Sequence, residues 1–252
     1  MEAMLSEKPW QPEVVWRIVM ANFATLFMGM AVATVLTRQL GGWSRGDLEM
    51  VHFIFVAASF QGATFFLAAW LCRSQNMSWN DAFGISYQPL RALLLGSVVA
   101  IGTLVGAMVL GAISSAVMLE LGMRPEAQQA VQMLQATESG WRRAFYGLVA
   151  ILVAPAAEEI LFRGLVYPSI KQMGFPRLAL WGTSLVFAAT HANAMALVPL
   201  TFVALMFTLL YEKTNNLLAP ILAHSIFNAV NFAILIFEKD LNRFWDSFYE
   251  RI

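Results

Sequence analysis

Charge is scarce in this sequence. Only 13% of its 252 residues are Asp, Glu, Lys or Arg, whereas 59% are hydrophobic. A soluble domain carries about 25% charged residues. A water-facing globular surface is therefore excluded, and a mean hydropathy of +0.63 points to a chain that lives in lipid. Basic and acidic residues balance at 16 each, which removes any general electrostatic reason to bind nucleic acid or anionic headgroups. The single cysteine, Cys72, rules out an intramolecular disulfide and a cysteine-based metal cluster. It reads as a small apolar residue at a helix end. No stretch rich in Gly, Ser or Pro forms a linker, no internal repeat is visible, and no segment has the composition of a soluble domain. The first residues, "MEAMLSEKPWQPEVVWR", mix charges and have no small-residue cleavage site. They do not read as a signal peptide, so the first span is expected to be retained.

What the chain does have is apolar runs of spanning length, which need about 20 residues each. They predict an all-α, polytopic membrane bundle of about seven helices, within a range of six to eight. The runs are 14–36, 50–71, 92–119, a run from Ala144 to about Tyr167, 178–190, 194–210 and 217–237. The run 178–190 is short for a full crossing. Residues 73–89 read as a loop. Within the third run, "GTLVG" at 102–106 has the small-xxx-small spacing of helix packing. Pro125 and the following "EAQQAVQMLQ" predict a short amphipathic helix that starts at the proline. It serves either as a plain connector, the commoner case, or as a lid at the interface. The resulting division is 1–143 for the N-terminal spans and connector, 144–237 for a core, and 238–252 for an amphipathic tail. In that tail Trp245, Phe248 and Tyr249 are placed to rest at the membrane surface. With seven spans, basic residues divide seven against eight between the two sides, so orientation is not readable.

Few strongly polar residues remain once the loops are removed: Glu158, Glu159, Arg163, His191, Asn193, His224, Asn228 and Asn231, all in the last four apolar segments. Intramembrane ionisable groups are costly, and each is a functional hypothesis by default. Glu159 and Arg163 are four apart, so they share a helix face and can neutralise each other. Glu158 lies about 100° round the helix and has no such partner. Pro155 removes a backbone hydrogen bond and is expected to kink the helix. His224 and Asn228 share one face, as do Phe187 and His191. A carboxylate, two imidazoles and an amide from three helices can activate water and donate to a developing oxyanion. Glu158, His191 and His224 are also possible zinc ligands, although none of the histidines falls in an H-E-x-x-H motif. The bland reading of each motif is structural: an ion pair, or interhelical hydrogen bonding. Asn193, Asn231 and Gln61 read as structural, and His52 as interfacial.

Taken together, "EEILFR" at 158–163, "FAATH" at 187–191 and "HSIFN" at 224–228 resemble the three signatures of the CAAX prenyl protease 2 and bacteriocin-processing family, also called CPBP or Abi. Its signatures are E-E-x-x-x-R, F-x-x-x-H and H-x-x-x-N, and the resemblance covers about residues 144–235. It implies a helical intramembrane endopeptidase. Glu158 would activate the attacking water with help from His191. His224 and Asn228 would stabilise the oxyanion, with Glu159, Arg163 and Phe187 in support. Family members are described as metalloproteases, and a metal-free glutamate mechanism has also been proposed, so the cofactor expectation is a divalent metal such as zinc, or none. Eukaryotic members trim prenylated proteins; prokaryotic relatives are linked to bacteriocin self-immunity, peptide maturation or scaffolding. The expected setting is the plasma membrane of a prokaryote. The expected partners are membrane lipid and a peptide or membrane-protein substrate, without nucleic acid. The competing classes are a non-proteolytic scaffold or immunity protein and a proton-coupled transporter.

Overall fold

The structure, a computed structural model, describes residues 7–39 and 42–249, with side chains through Phe237. It is a helical bundle with no strand among those residues. Among the described residues, six helices are long and apolar enough to cross a membrane: α1 (Pro12–Gln39), α2 (Arg45–Ser74), α4 (Pro89–Glu120), α6 (Gly140–Gln172), α8 (Ala194–Thr214) and α9, whose apolar part is Leu218–Phe237. The short helices α3 (Trp79–Phe83), α5 (Gln129–Ala136) and α7 (Pro176–Ala189) lie between them. At about 1.5 Å per residue, the 14 residues of α7 fall well short of a bilayer. This fits the short apolar run predicted there. The backbone of α9 continues as helix to Tyr249, while the tail side chains from position 238, including the proposed surface aromatics, lie outside the described residues.

Burial separates the centre of the bundle from its wall. Half of the most apolar window of α6 and of α8 is buried, against 17–22% in the other four long helices. The centre is therefore α6 and α8, with α9 and α7 against them and α1, α2 and α4 outside. Outward-facing residues such as Phe66, Val98, Ile101 and Leu209 are exposed large hydrophobics, as lipid contact requires.

Two sequence expectations shift. The connector helix does not start at Pro125 but at Gln129. The residues between are not helical, and the Glu126 carbonyl accepts from Asn193 Nδ2 at 2.9 Å and the Ala127 carbonyl from Gln132 Nε2 at 2.7 Å. The loop at 73–89 contains α3, one helical turn closed by a capping box in which Ser78 and Asp81 exchange side-chain and backbone hydrogen bonds. Gly84 ends it in the left-handed region (φ 68), and a Cβ there would meet the Asn215 carbonyl oxygen at 2.0 Å. Buried Asn216 then donates to the Tyr87 carbonyl at 2.7 Å. This fastens the α8–α9 turn to the start of α4.

The stripe that packs α4 also differs from the expected one. Ala92, Gly96, Ala100, Thr103 and Ala107 are buried, spaced four, four, three and four apart. Ala92, Ala100 and Ala107 share one core cluster with Ala219 and Ala223 of α9. Of the "GTLVG" pair, Gly102 faces open space, and a Cβ on Gly106 would meet the Phe202 ring at 2.5 Å. Helix contact in lipid comes from close approach of small residues, and Gly96 is where α4 meets the backbone of α9: a Cβ would lie 2.8 Å from the Ala219 carbonyl oxygen. Gly96→Val is therefore expected to destabilise the protein by about 1–3 kcal/mol. Gly102→Ala is expected to change stability by less than about 0.5 kcal/mol. Thermal unfolding of the purified protein in detergent measures both.

At the end of the bundle where α1 begins, Lys8 is buried with its ammonium 5.4 Å from the Tyr211 ring centroid. Burial pulls its pKa down from the ordinary 10.5 to about 8. The folded chain thus releases this proton near pH 8, whereas the unfolded chain keeps it until about 10.5. The unfolded state binds more protons within that window, so stability is expected to rise as pH increases through it. Below pH 8 the contribution is flat. Lys8→Met is expected to remove this rise in a pH series of unfolding midpoints.

Candidate active site

The sequence "APAAEEILFRGLVYP" builds an irregular helix. Within α6, α-helical turns alternate with two wider π-helical turns, Val149–Val153 and Ile160–Val166. Each is followed within two residues by a proline, Pro155 and Pro168. A proline lacks the N–H that an α-helix would use and pushes away the carbonyl one turn back. A π turn relieves this by passing the ladder one residue further on: Ala154 N–H reaches the Val149 carbonyl and Tyr167 N–H the Phe162 carbonyl. The expected kink at Pro155 thus takes the form of a π turn just before it.

Between the two π turns lie both glutamates. Glu159 is fully buried. Its Oε1 accepts from Arg163 Nη1 at 2.8 Å and from His224 Nδ1, also at 2.8 Å. Arg163, equally buried, spends its other nitrogens on α8, with Nη2 on the Ala204 carbonyl at 3.1 Å and Nε 3.4 Å from Thr208 Oγ1. The guanidinium also lies 4.5 Å from the Phe187 ring centroid and 5.8 Å from that of Phe207. Phe187 in turn packs against the rings of His191 (5.1 Å) and His224 (5.9 Å). One phenyl ring thus touches three of the polar residues.

Glu158 faces differently. Its side chain is 18% exposed, and its Oε2 is 3.9 Å from His224 Nε2. Among the described residues it makes no direct hydrogen bond. The Glu159 carboxylate can only accept, so His224 Nδ1 carries the proton there and Nε2 is the atom turned toward Glu158. His191 follows the same logic. Its Nδ1 lies 3.0 Å from the Phe187 carbonyl, which leaves Nε2 as its free nitrogen. His191 sits just after α7 in a turn where Ala192 adopts φ 48, a conformation that non-glycine residues adopt only when their surroundings hold it.

The structure therefore gathers Glu158, Glu159, Arg163, Phe187 and His224, with His191 joined through Phe187. Asn228 is one turn beyond His224, and its Nδ2 donates to the Ala150 carbonyl at 2.8 Å. Asn193 caps α8, with Oδ1 accepting from Ala196 N–H. Asn231 bonds its own helix at the Phe227 carbonyl. Gln61 lies in a further π turn, Ala58–Gly62 of α2, with a buried Oε1 lacking a partner among the described residues. Sequence reasoning missed Thr208, Phe207 and the Ala204 carbonyl, the Arg163 contacts on α8. A threonine and a phenylalanine in an apolar run carry no signal, and a carbonyl carries none at all. For a metal, Glu158 Oε2 and His224 Nε2, 3.9 Å apart, are donors not already committed to another side chain. Among the described residues, however, no group of three His, Cys, Asp or Glu is arranged to hold an ion. That falls short of the three protein ligands of a catalytic zinc, and no step is routed through a metal.

Comparison with known proteins adds a family to this geometry. Residues 140–230 match the family model described as type II CAAX prenyl endopeptidase Rce1-like. The match takes in about a third of the chain. It contains all the gathered side chains, and the family is one of proteases. Two proteins of Bacillus subtilis (strain 168) are similar to part of the chain. YpbD, an uncharacterized protein, is 36% identical over 83 residues, 31% of this chain and 40% of its own length. YdiL, named a candidate membrane peptidase, is 30% identical over 81 residues, 32% of this chain and 33% of its own. The chain thus spans less than half the length of either relative. No solved structure matches.

Within the Rce1-like stretch, the Glu159–Arg163 pair is fully buried, so breaking it leaves a charge that nothing else neutralises. Losing one partner of a buried ion pair costs about 3–5 kcal/mol, because the other charge is left unpaired. Arg163→Ala is expected to lower stability by that amount. Replacing both partners, as Glu159→Gln with Arg163→Met, is expected to cost less than Arg163→Ala alone. Denaturation in detergent compares the two.

Proposed function

We propose that this protein is an intramembrane endopeptidase that hydrolyses a peptide bond of a membrane-associated or peptide substrate. The observation that carries the reading is the division between two adjacent carboxylates. Glu159 is bound by a cation and an imidazole, whereas Glu158 is partly exposed and faces His224 Nε2 across 3.9 Å. A gap of that width between two polar atoms suits a bridging water. Glu158 would take a proton from that water as it attacks the scissile carbonyl. His191, through its free Nε2, would help carry the proton to the leaving amine. His224, when it holds both ring protons, would donate Nε2–H to the oxyanion, while Glu159 orients its ring and offsets its charge. This assignment follows the order of the three motifs in the Rce1-like stretch, except that the Asn228 amide, expected at the oxyanion, is committed to the Ala150 carbonyl. The bacterial source of both relatives fits a prokaryotic plasma membrane, where the substrate would not be prenylated.

Purified protein in lipid nanodiscs, incubated with membrane-protein and peptide substrates, tests the reading by mass spectrometry of the products. Glu158→Gln is expected to lower kcat by about 10²–10⁴-fold with the fold intact. Cleavage that persists in both Glu158→Ala and His191→Ala would sink the proposal. A cellular phenotype that persists in Glu158→Ala, without cleavage by the wild type, would point instead to a scaffold or immunity protein.

A further inference from the structure

Asn228 is the motif residue that the proposed chemistry leaves unused, and its hydrogen bond has a specific cause. The Ala150 carbonyl, which accepts from Asn228 Nδ2 at 2.8 Å, lies in the first π turn of α6. In that turn the Ala154 N–H donates to the Val149 carbonyl, five residues back. The next bond in the same register would run from residue 155 to Ala150. Residue 155 is Pro155, which has no N–H. Ala150 is thus left without a donor from its own helix, since Ala154 is spent and Pro155 has nothing to give. An unpaired carbonyl inside a bilayer is costly, and Asn228 supplies the missing donor from another helix.

We propose that Asn228 is a positioning residue: its amide replaces the hydrogen bond that Pro155 removes, and so holds the bend of α6 in the register that turns Glu158 toward His224. His224 and Asn228 project from one face of α9, a single turn apart. His224 grips α6 beyond the bend, at Glu159. Asn228 grips it before the bend, at Ala150. Pro155 and Glu158 lie between these two points, so α9 acts as a splint across the irregular segment. The residue type is dictated by the task. An amide brings an N–H to a carbonyl, whereas an ionised Asp would bring one acceptor to another and an alanine would bring nothing. The consequence for catalysis rests on the peptidase reading. The hydrogen bond and its origin in Pro155 do not.

The distinguishing feature is coupling to Pro155. In Pro155→Ala, residue 155 regains an N–H that can pair with Ala150, so Asn228 becomes dispensable. Hydrogen exchange of the amides at 154–160, measured on the purified full chain, is expected to quicken about tenfold in Asn228→Ala. In the Pro155→Ala background the same substitution is expected to change exchange by no more than about twofold. Equal acceleration in both backgrounds overturns the proposal. Asn228→Asp is expected to match Asn228→Ala, and wild-type exchange in Asn228→Asp also overturns it. In the cleavage assay, Asn228→Ala is expected to lower kcat while KM stays within about twofold. The double variant should turn over no more slowly than Pro155→Ala alone. An equal loss of kcat in both backgrounds would make Asn228 a direct oxyanion donor and refute the positioning role. Should the wild type cleave nothing, the peptidase reading fails, while the exchange experiment still decides what Asn228 does.

Discussion

Glu159 is the point from which the centre of this bundle is organised. A carboxylate inside lipid must be neutralised, and each partner that neutralises it comes with further requirements. Arg163 lies one turn away on the same helix, and its remaining donors need acceptors, which α8 provides through Ala204 and Thr208. His224 of α9 supplies the second hydrogen bond to Oε1. The guanidinium needs an electron-rich cover, and Phe187 of α7 lies against it. Four helices are thus oriented by the demands of one buried charge. Such an arrangement contributes more to specificity than to stability, because desolvation offsets much of the Coulombic gain. What it secures is that α6, α8 and α9 meet in a single rotational register.

That register separates two chemically identical neighbours. Glu158 and Glu159 differ by about 100° around the helix, which is enough to send one into the core and leave the other partly exposed. Glu159 carries the ion pair to Arg163, which leaves Glu158 outside it. His224 links the two roles, with one ring nitrogen on the fixed carboxylate and the other turned to the free one. Orientation of an imidazole by a carboxylate at its far nitrogen is a common way to set which nitrogen acts.

The helix that carries both glutamates is the least regular of the long spans. Its two π turns precede its two prolines, and the carbonyls they release must find donors without water. An irregular backbone at membrane depth is tolerated only where protein or a water-filled cavity surrounds it. This accounts for the position of α6 at the buried centre, while the regular helix α4 lies in the wall with its stripe of small residues on α9.

Much of this was readable from residues alone. Composition decides the membrane class, and spacing pairs Glu159 with Arg163, because both follow from local rules of length and periodicity. The three motifs were legible as a set, and they fall within the stretch that matches the Rce1-like family. Other features were not legible. The packing stripe of α4 runs through Gly96 and not Gly102, since a helix with small residues on several faces does not say which face meets a neighbour. The connector helix begins after its proline, where the Glu126 and Ala127 carbonyls accept from the side chains of Asn193 and Gln132 instead of from helix N–H groups. The acceptors of Arg163 and the pairing of Asn228 with Ala150 involve backbone carbonyls, which every residue has and no sequence distinguishes. The sequence determined which groups are charged, which are apolar and which backbone donors proline removes. Only the tertiary structure decided which partner answers each of those needs, because in lipid the donors and acceptors within reach belong to whatever helix packs beside the group.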